Sequence, residues 1–310
     1  MSAVVVATGF GGPEVLSVID QPVPEPGAGE VRVAVRAVGV NPVDYKSYSG
    51  AFGKDPAQLP RRIGSEAAGV ITAVGPDVSD FEPGDEVIAF RAPGAYAADL
   101  LVPLDALTRK PEAVPWTEAA GLLLTGVTAV HTLVAADVGT GDTVLVHAGS
   151  GGVGLMVVQL AVARNATVIA TARETNHDVL RSLGATPVTY GDGLLDRVRA
   201  AAPNGVDAAI DLIGTDEAVD VSLELVRTRS RVVSIAAFGR GGDGIRLLGG
   251  GPGAEAGDEI RNAARGMLVE AVAAGTLRVF VERTFPLDQA AEAHRLLMAR
   301  HVTGKLVLTV

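Results

Sequence analysis

The chain has 310 residues, 48% of them hydrophobic and 20% charged, and a formal net charge of −10. That length suits about two domains with a large buried core, and the acidic balance excludes nucleic acid or an anionic membrane surface as an expected partner, because both need basic patches. The absence of cysteine excludes disulfides, thiolate zinc sites and cysteine nucleophiles.

The start M-S-A-V-V-V-A lacks a basic lead-in and a long apolar core. No apolar run is read as membrane-spanning, so a soluble cytoplasmic protein is expected. Strands are predicted at Ala3–Ala7, Val15–Asp20, Glu30–Val40, within Gly64–Gly75, within Phe81–Phe90 and at Ala95–Pro103, separated by Gly- and Pro-rich turns. Glu30–Val40 alternates apolar and polar residues, as a half-buried strand does. Many short strands predict a β-rich domain over about the first 110 residues.

Composition shifts after a linker near Lys110–Pro115. Trp116–Ala136 is rich in Ala and Leu and reads as two helices broken around Thr125–Gly126. A strand–helix rhythm follows. Strands are predicted at Thr143–Ala148, Ala166–Ala172, Thr186–Tyr190, Val206–Leu212 and Arg231–Ala237, with helices between them. Repeated βαβ units imply a parallel sheet with helices on both faces. Phe238–Gly257 reads as a glycine-rich loop, either a lid or a surface insertion. A helix (Glu259–Ala274), a strand (Val279–Phe285), a helix (Leu287–Arg300) and a strand (Lys305–Val310) close the chain, and this last segment is expected to return to the first domain.

The centre of this pattern is T-V-L-V-H-A-G-S-G-G-V-G-L at 143–155. A buried strand runs into glycines and then an apolar helix. Free N–H groups at such a helix start face an anion, and absent side chains let a pyrophosphate approach the backbone. Ser150, Gly151, Gly152 and Val153 are the expected contacts. The adenosine ribose is read at the tip of the next strand, Thr171-Ala172-Arg173-Glu174. Arg173 suits the 2′-phosphate of NADPH, with Thr171 and His177 adding hydrogen bonds; Glu174 suits the ribose hydroxyls of NADH. A solvated Arg–Glu pair is the structural alternative.

The whole chain resembles the medium-chain dehydrogenase/reductase superfamily, in its zinc-free quinone-reductase and enoyl-reductase branch. The markers are F-G-G-P-E-V-L near the start, G-V-N-P-V-D-Y-K at 39–46, G-S-E-A-A-G-V-I at 64–71 and G-D-E-V at 84–87. They continue with A-A-G-L-L-L-T-G-V-T-A at 119–129, H-A-G-S-G-G-V-G at 147–154, R-S-L-G-A at 181–185 and G-K-L-V-L at 304–308. The resemblance implies an α/β protein: a GroES-like β-rich substrate domain (1–115 and 258–310), a Rossmann doubly wound parallel-sheet domain (116–257), and an active site in the cleft between them. It also implies NADPH as cofactor and a homodimer joined near Arg231–Phe238 and Ile245–Leu248. Zinc alcohol dehydrogenases carry Cys and His where this chain has Asn41 and Ser65. The five histidines fall at no ligand spacing, so no zinc site is expected.

By the same resemblance, Thr128 is expected near the nicotinamide end. Leu212, Ile213, Ile235 and Ala237 sit at strand C-termini, where such sheets bind ligands. Asp211 either joins them or caps a turn, and Lys305 either faces the cleft or is solvated. Asn41, Tyr45 and Lys46 are the candidate catalytic donors for the anion formed when hydride reaches a quinone or enone. The structural alternative makes Asp44 a helix cap and Lys46 a solvated residue, and Glu66 reads as a buried, satisfied carboxylate. The expected activity is NADPH-dependent reduction of a small-molecule quinone. Reduction of an α,β-unsaturated carbonyl, or non-catalytic NADPH sensing, are the alternatives.

Overall fold

A computed structural model describes all 310 residues. Contacts divide the chain into two units, Met1–Leu124 with Leu268–Val310, and Thr125–Met267. Both joints fall inside helices, whereas the expected segmentation placed them at helix starts.

The first unit begins with β1 (Ser2–Ala7), β2 (Leu16–Gln21), β3 (Glu30–Val40), α1 (Pro42–Ser49), β4 (Arg61–Arg62), β5 (Glu66–Val74), β6 (Glu86–Phe90), β7 (Asp99–Pro103) and β8 (Leu107–Arg109). β3 has the expected bounds, and its inward valines, Val31, Val33, Val35 and Val38, are fully buried. Asn41 then starts α1: Asp44, at the third helical position, accepts the Asn41 N–H at 2.8 Å. This carboxylate satisfies one of the orphan donors at a helix start.

α2 (Trp116–Ala135) is one continuous helix, which corrects the expected break around Thr125–Gly126. A glycine inside a helix costs about 1 kcal/mol, and burial on nearly all sides outweighs it. The helix is also long and apolar enough to cross a bilayer, contrary to the expectation that no run is, but 83% of that window is buried inside the protein. A helix apolar all round fits a core position.

The second unit contains β9 (Thr143–His147), α3 (Gly152–Ala163), β10 (Thr167–Thr171), α4 (His177–Ser182), β11 (Thr186–Val188), α5 (Leu194–Ala201), β12 (Ala208–Asp211), α6 (Asp216–Leu225), β13 (Val232–Ser234) and β14 (Arg246–Leu247). Its six strands are all parallel, in the order β11-β10-β9-β12-β13-β14. The strand order reverses between β9 and β12, the point at which such sheets bind ligands. The glycine segment after β13 is a 3₁₀ turn at Phe238–Asp243. Arg240 ties it to Asp216, Asp220 and Asp243 at 2.5–2.8 Å.

α7 (Asp258–Ala273) leads back to the first unit, where β15 (Val281–Pro286), α8 (Ala290–Met298) and β16 (Lys305–Thr309) follow. β16 lies antiparallel to β3 and parallel to β15. The C-terminal segment therefore returns to the first unit, as expected, and completes the sheet β15-β16-β3-β5-β6-β8, with β7 also paired to β3.

The turn between β9 and α3 is closed by sterics. A Cβ on Gly149 would lie 2.7 Å from Ala170 Cβ, and one on Gly154 would lie 2.3 Å from Ala148 O. A Cβ on Gly151 would meet only Ala148 O, at 3.4 Å. Gly154→Ala is therefore expected to destabilise the protein by about 2 kcal/mol or more, and Gly151→Ala by no more than about 0.5 kcal/mol. Urea unfolding of the two variants checks this contrast.

Candidate functional site

The first unit holds a buried polar cluster at the junction of β3 and α1. Lys305 Nζ, on β16, donates to Glu66 Oε1 at 3.0 Å, to Asn41 Oδ1 at 2.5 Å and to Val40 O at 3.2 Å. Asn41 Nδ2 donates to the same Glu66 oxygen at 2.9 Å and to Gly39 O at 3.3 Å. Glu66 Oε2 accepts the Leu124 N–H of α2 at 2.8 Å. None of the three side chains is more than 4% exposed. Gly39 makes room for the cluster, since a Cβ there would lie 2.3 Å from both Ala120 O and Glu66 Oε1.

A second chain of buried groups adjoins it. Asp44 accepts from Ser65 Oγ at 2.8 Å and from Tyr96 OH at 3.2 Å, in addition to the Asn41 N–H. Tyr96 OH also meets His294 Nε2 at 2.8 Å, and His294 Nδ1 meets Tyr48 OH at 2.7 Å. Because Tyr96 gives its proton to Asp44, the consistent tautomer has Nε2–H donating to Tyr96 and Nδ1 accepting from Tyr48. Burial pushes Asp44 up to about 6, against the lowering effects of Ser65, the Asn41 N–H and Lys305. Burial also holds His294 down at about 4.

Of the expected donors, Asn41 is thus 1% exposed and its amide is shared between Lys305 and Glu66. Tyr45 packs against the hydrophobic core of its unit. Lys46 is half-buried, and its pKa is lowered by desolvation and then by Arg300. Lys305 is not solvated, and Glu66 is buried and satisfied. Sequence reasoning missed Tyr48, Tyr96 and His294. His294 carried a usable signal, since helical spacing puts it on one stripe with Ala290, Ala293 and Leu297.

The donor set does not fit zinc. Asn41 and Ser65 are both engaged within the clusters, and the Lys305 ammonium already lies against Asn41 Oδ1. No group of three or more His, Asp or Glu side chains comes together in a form that would hold a metal ion.

In the second unit, the β9–α3 turn is tied to β10. Thr171 Oγ1 accepts the Ala148 N–H at 3.0 Å, and Gly149 N donates to Thr171 O at 2.9 Å. Thr171 is 2% exposed. Ser150, Gly151, Gly152 and Val153 are partly exposed at the start of α3, and Asn176 Nδ2 donates to Ser150 Oγ at 3.0 Å. Arg173 lies two residues beyond β10 and is partly exposed, and Glu174 is exposed. His177 is buried, with Nε2 3.4 Å from Ala172 O. Thr128 is buried within α2.

At the neighbouring strand ends, Asp211 caps its own turn. Its Oδ1 accepts the N–H groups of Ile213 and Gly214 at 3.0 and 2.9 Å, and its Oδ2 accepts from Ser234 Oγ at 2.6 Å. Ser234 Oγ in turn accepts the N–H groups of Ala236 and Ala237. This pair locks the ends of β12 and β13, which leaves Leu212, Ile213 and Ile235 partly exposed and Ala237 buried. The fit to a dinucleotide is good: an uncrowded Gly151 at a helix N-terminus, with Arg173 at the next strand tip.

Two family models match the chain. "Alcohol dehydrogenase GroES-like domain" covers residues 27–137, and "Zinc-binding dehydrogenase" covers residues 183–308. A probable quinone oxidoreductase of Schizosaccharomyces pombe is 34% identical over 99% of this chain and 97% of that one. The rat synaptic vesicle membrane protein VAT-1 homolog is 36% identical, over 74% of this chain but only 58% of its own length. The structure of Escherichia coli quinone oxidoreductase complexed with NADPH superposes with a TM-score of 0.88 at 27% identity, covering 99% of this chain and 100% of that one.

Two predictions follow from the clusters. Lys305→Met leaves Glu66 charged and unpaired in the core and is expected to cost about 3–5 kcal/mol; adding Glu66→Gln recovers part of that loss. Chemical unfolding of the single and double variants measures it. Asp44 binds its proton more tightly folded than unfolded, so its ionisation weakens the fold as pH rises from about 4 through 6. Asp44→Asn mimics the protonated carboxyl. It is expected to match the wild type near pH 4 and to exceed it by about 2–3 kcal/mol at pH 7, read as paired unfolding curves across that range.

Proposed function

This chain belongs to the medium-chain dehydrogenase/reductase superfamily, in its quinone oxidoreductase branch, and from that premise we propose that it is a zinc-independent oxidoreductase passing hydride from NADPH to a quinone. The observation that carries the reading is the α3 N-terminus. Gly149 and Gly154 are required by packing, but Gly151 is not, so its bare Cα leaves room for a ligand to approach the helix start.

When bound, NADPH supplies the hydride. Ser150, Gly152 and Val153 would hold its pyrophosphate through backbone N–H groups and the helix dipole, and Gly151, whose own N–H donates to Ala148 O, gives it room to approach. Arg173 pairs with the 2′-phosphate, and His177 and Thr171 fix the backbone that presents it. Thr128, Leu212, Ile235 and Ala237 line the remaining length. Asn41, held in place by Lys305 and Glu66, is the candidate donor to the anion that develops on a reduced acceptor. Tyr45 and Lys46 are the candidate proton donors, and the lowered pKa of Lys46 eases release of its proton. A cytoplasmic homodimer completes the proposal, with the edge strand β14 at the subunit contact.

The test is loss of nicotinamide absorbance with NADPH and with NADH, each against a benzoquinone and a simple enone. Oxidation of NADPH by the quinone supports the proposal. Faster turnover of the enone replaces it with alkene reduction, and tight cofactor binding without any turnover replaces it with sensing. Arg173→Ala is expected to raise KM for NADPH about tenfold or more with little change for NADH. Equal changes for the two cofactors overturn the phosphate assignment.

A further inference from the structure

An open pocket of ≈ 460 Å³ lies within the first unit, and the polar side chains on its walls are those of Asp44, Ser47, Ser65, Arg61, Arg62 and Arg91. A proton that the protein hands to a ligand there comes from one of these. The arginines stay protonated at all working pH and cannot release it. Ser47 Oγ is committed, donating to Asp44 O at 2.7 Å. Tyr45 and Lys46 do not line the pocket. That leaves Ser65 and Asp44.

The bond between these two has a direction that protonation reverses. Ser65 is partly exposed, and its Oγ donates to Asp44 Oδ1 at 2.8 Å. A hydroxyl has one proton, so while Asp44 is ionised that proton is spent on the carboxylate. Asp44 Oδ2 is occupied, accepting the Asn41 N–H at 2.8 Å and the Tyr96 OH at 3.2 Å. Oδ1 has Ser65 as its donor, so a proton enters there with the fewest bonds lost. Protonated Oδ1 donates to Ser65 Oγ, and the Ser65 hydroxyl proton is released to the pocket.

The surroundings leave this exchange to Asp44. Burial pushes it up to about 6; Lys305 on β16 lowers it and Glu66 on β5 raises it, and these two charges are paired at 3.0 Å. His294 on α8 is held down at about 4, and burial raises Tyr48 on α1 and Tyr96 above the ordinary tyrosine value. Arg61 and Arg62 on β4 and Arg91 after β6 keep their charge. Between pH 5 and 8, Asp44 is the group of this set that changes charge.

We propose that Ser65 is the donor to the carbonyl oxygen of the acceptor, and that Asp44, behind it, supplies the proton. The proposal rests on the oxidoreductase reading and replaces Tyr45 and Lys46 as the source of that proton. As hydride passes from a dihydronicotinamide to the acceptor, the carbonyl oxygen gains an electron pair and takes the Ser65 hydroxyl proton. The Ser65 oxygen takes the Asp44 proton in the same movement. One O–H bond breaks on Asp44 and one forms on the acceptor, which is reduced by two electrons while the nicotinamide is oxidised. Asp44 regains its proton from water in the open pocket, through Ser65, after product leaves.

The test has a binding arm and a kinetic arm. Calorimetry on the full chain without cofactor measures acetophenone, a carbonyl probe, at pH 5 and pH 8. Binding about fivefold tighter at pH 5 supports the switch. Asp44→Asn turns its amide N–H to Ser65 at every pH, so it is expected to bind acetophenone at pH 8 as the wild type does at pH 5. Ser65→Ala is expected to bind weakly at both, and Ser65→Thr to restore the pH dependence. Either end of the pair decides this arm if the other variant fails to fold. The kinetic arm follows reduction of 1,4-naphthoquinone by NADPH. Asp44→Asn keeps the donor but has no proton to give, so kcat is expected to fall about a hundredfold with KM near the wild-type value at pH 5. The decline of kcat/KM above about pH 6 in the wild type is expected to vanish in that variant. Equal wild-type binding at pH 5 and pH 8 overturns the switch and leaves the oxidoreductase reading intact. Wild-type kcat in Asp44→Asn assigns the proton to another group and overturns the relay. pH-dependent binding without turnover of any acceptor overturns the oxidoreductase reading, and the relay with it.

Discussion

The buried pair of Lys305 and Glu66 is the constraint on which the first unit depends. An ammonium and a carboxylate removed from water are tolerated only when paired and fully hydrogen-bonded. Every neighbour meets that demand. The end of β3 offers Val40 O and the Asn41 amide, β5 supplies Glu66, β16 supplies Lys305, and α2 offers the Leu124 N–H. The C-terminal strand must therefore return across the sheet, because without it Glu66 is a charge in the core. The pair also fixes Asn41, whose backbone N–H meets Asp44, so the ionic cluster and the Asp44–Tyr96–His294 chain are joined through one residue.

The second unit is organised by exclusion rather than attraction. The β9–α3 turn packs so closely against β10 at Gly149 and against itself at Gly154 that neither glycine has space for a side chain. Asp211 and Ser234 then hold the ends of β12 and β13 with five short hydrogen bonds. These devices fix the strand ends without using the N–H groups at the start of α3. A rigid frame that leaves a glycine-bare helix terminus approachable is the arrangement a dinucleotide site requires.

How far this was legible in the sequence depended on whether the signal was local. The alternation of Glu30–Val40, the βαβ rhythm and the glycine turn are local patterns, and each located its element. The continuity of α2 was not local: Gly126 signals a break, and only burial from several directions overrides it. The cluster of Asn41, Glu66 and Lys305 was also out of reach, because nothing near Lys305 announces a carboxylate 239 residues earlier. Tyr96 and His294 meet across 198 residues for the same reason. Polar residues drawn together by tertiary contact carry no period, so each was readable only as a residue type.

The second unit binds part of its positive charge into ion pairs with its own carboxylates. Several of its arginines are neutralised in this way. Arg240 faces three aspartates, Arg246 is bidentate to Glu255, Arg231 meets Asp142, and Arg199 meets Glu224. Such partners leave little field for a ligand. Arg61 and Arg62 differ, because a carbonyl or amide oxygen orients a guanidinium without cancelling its charge. The acceptors of an arginine are therefore more informative about the charge it presents than the number of arginines present.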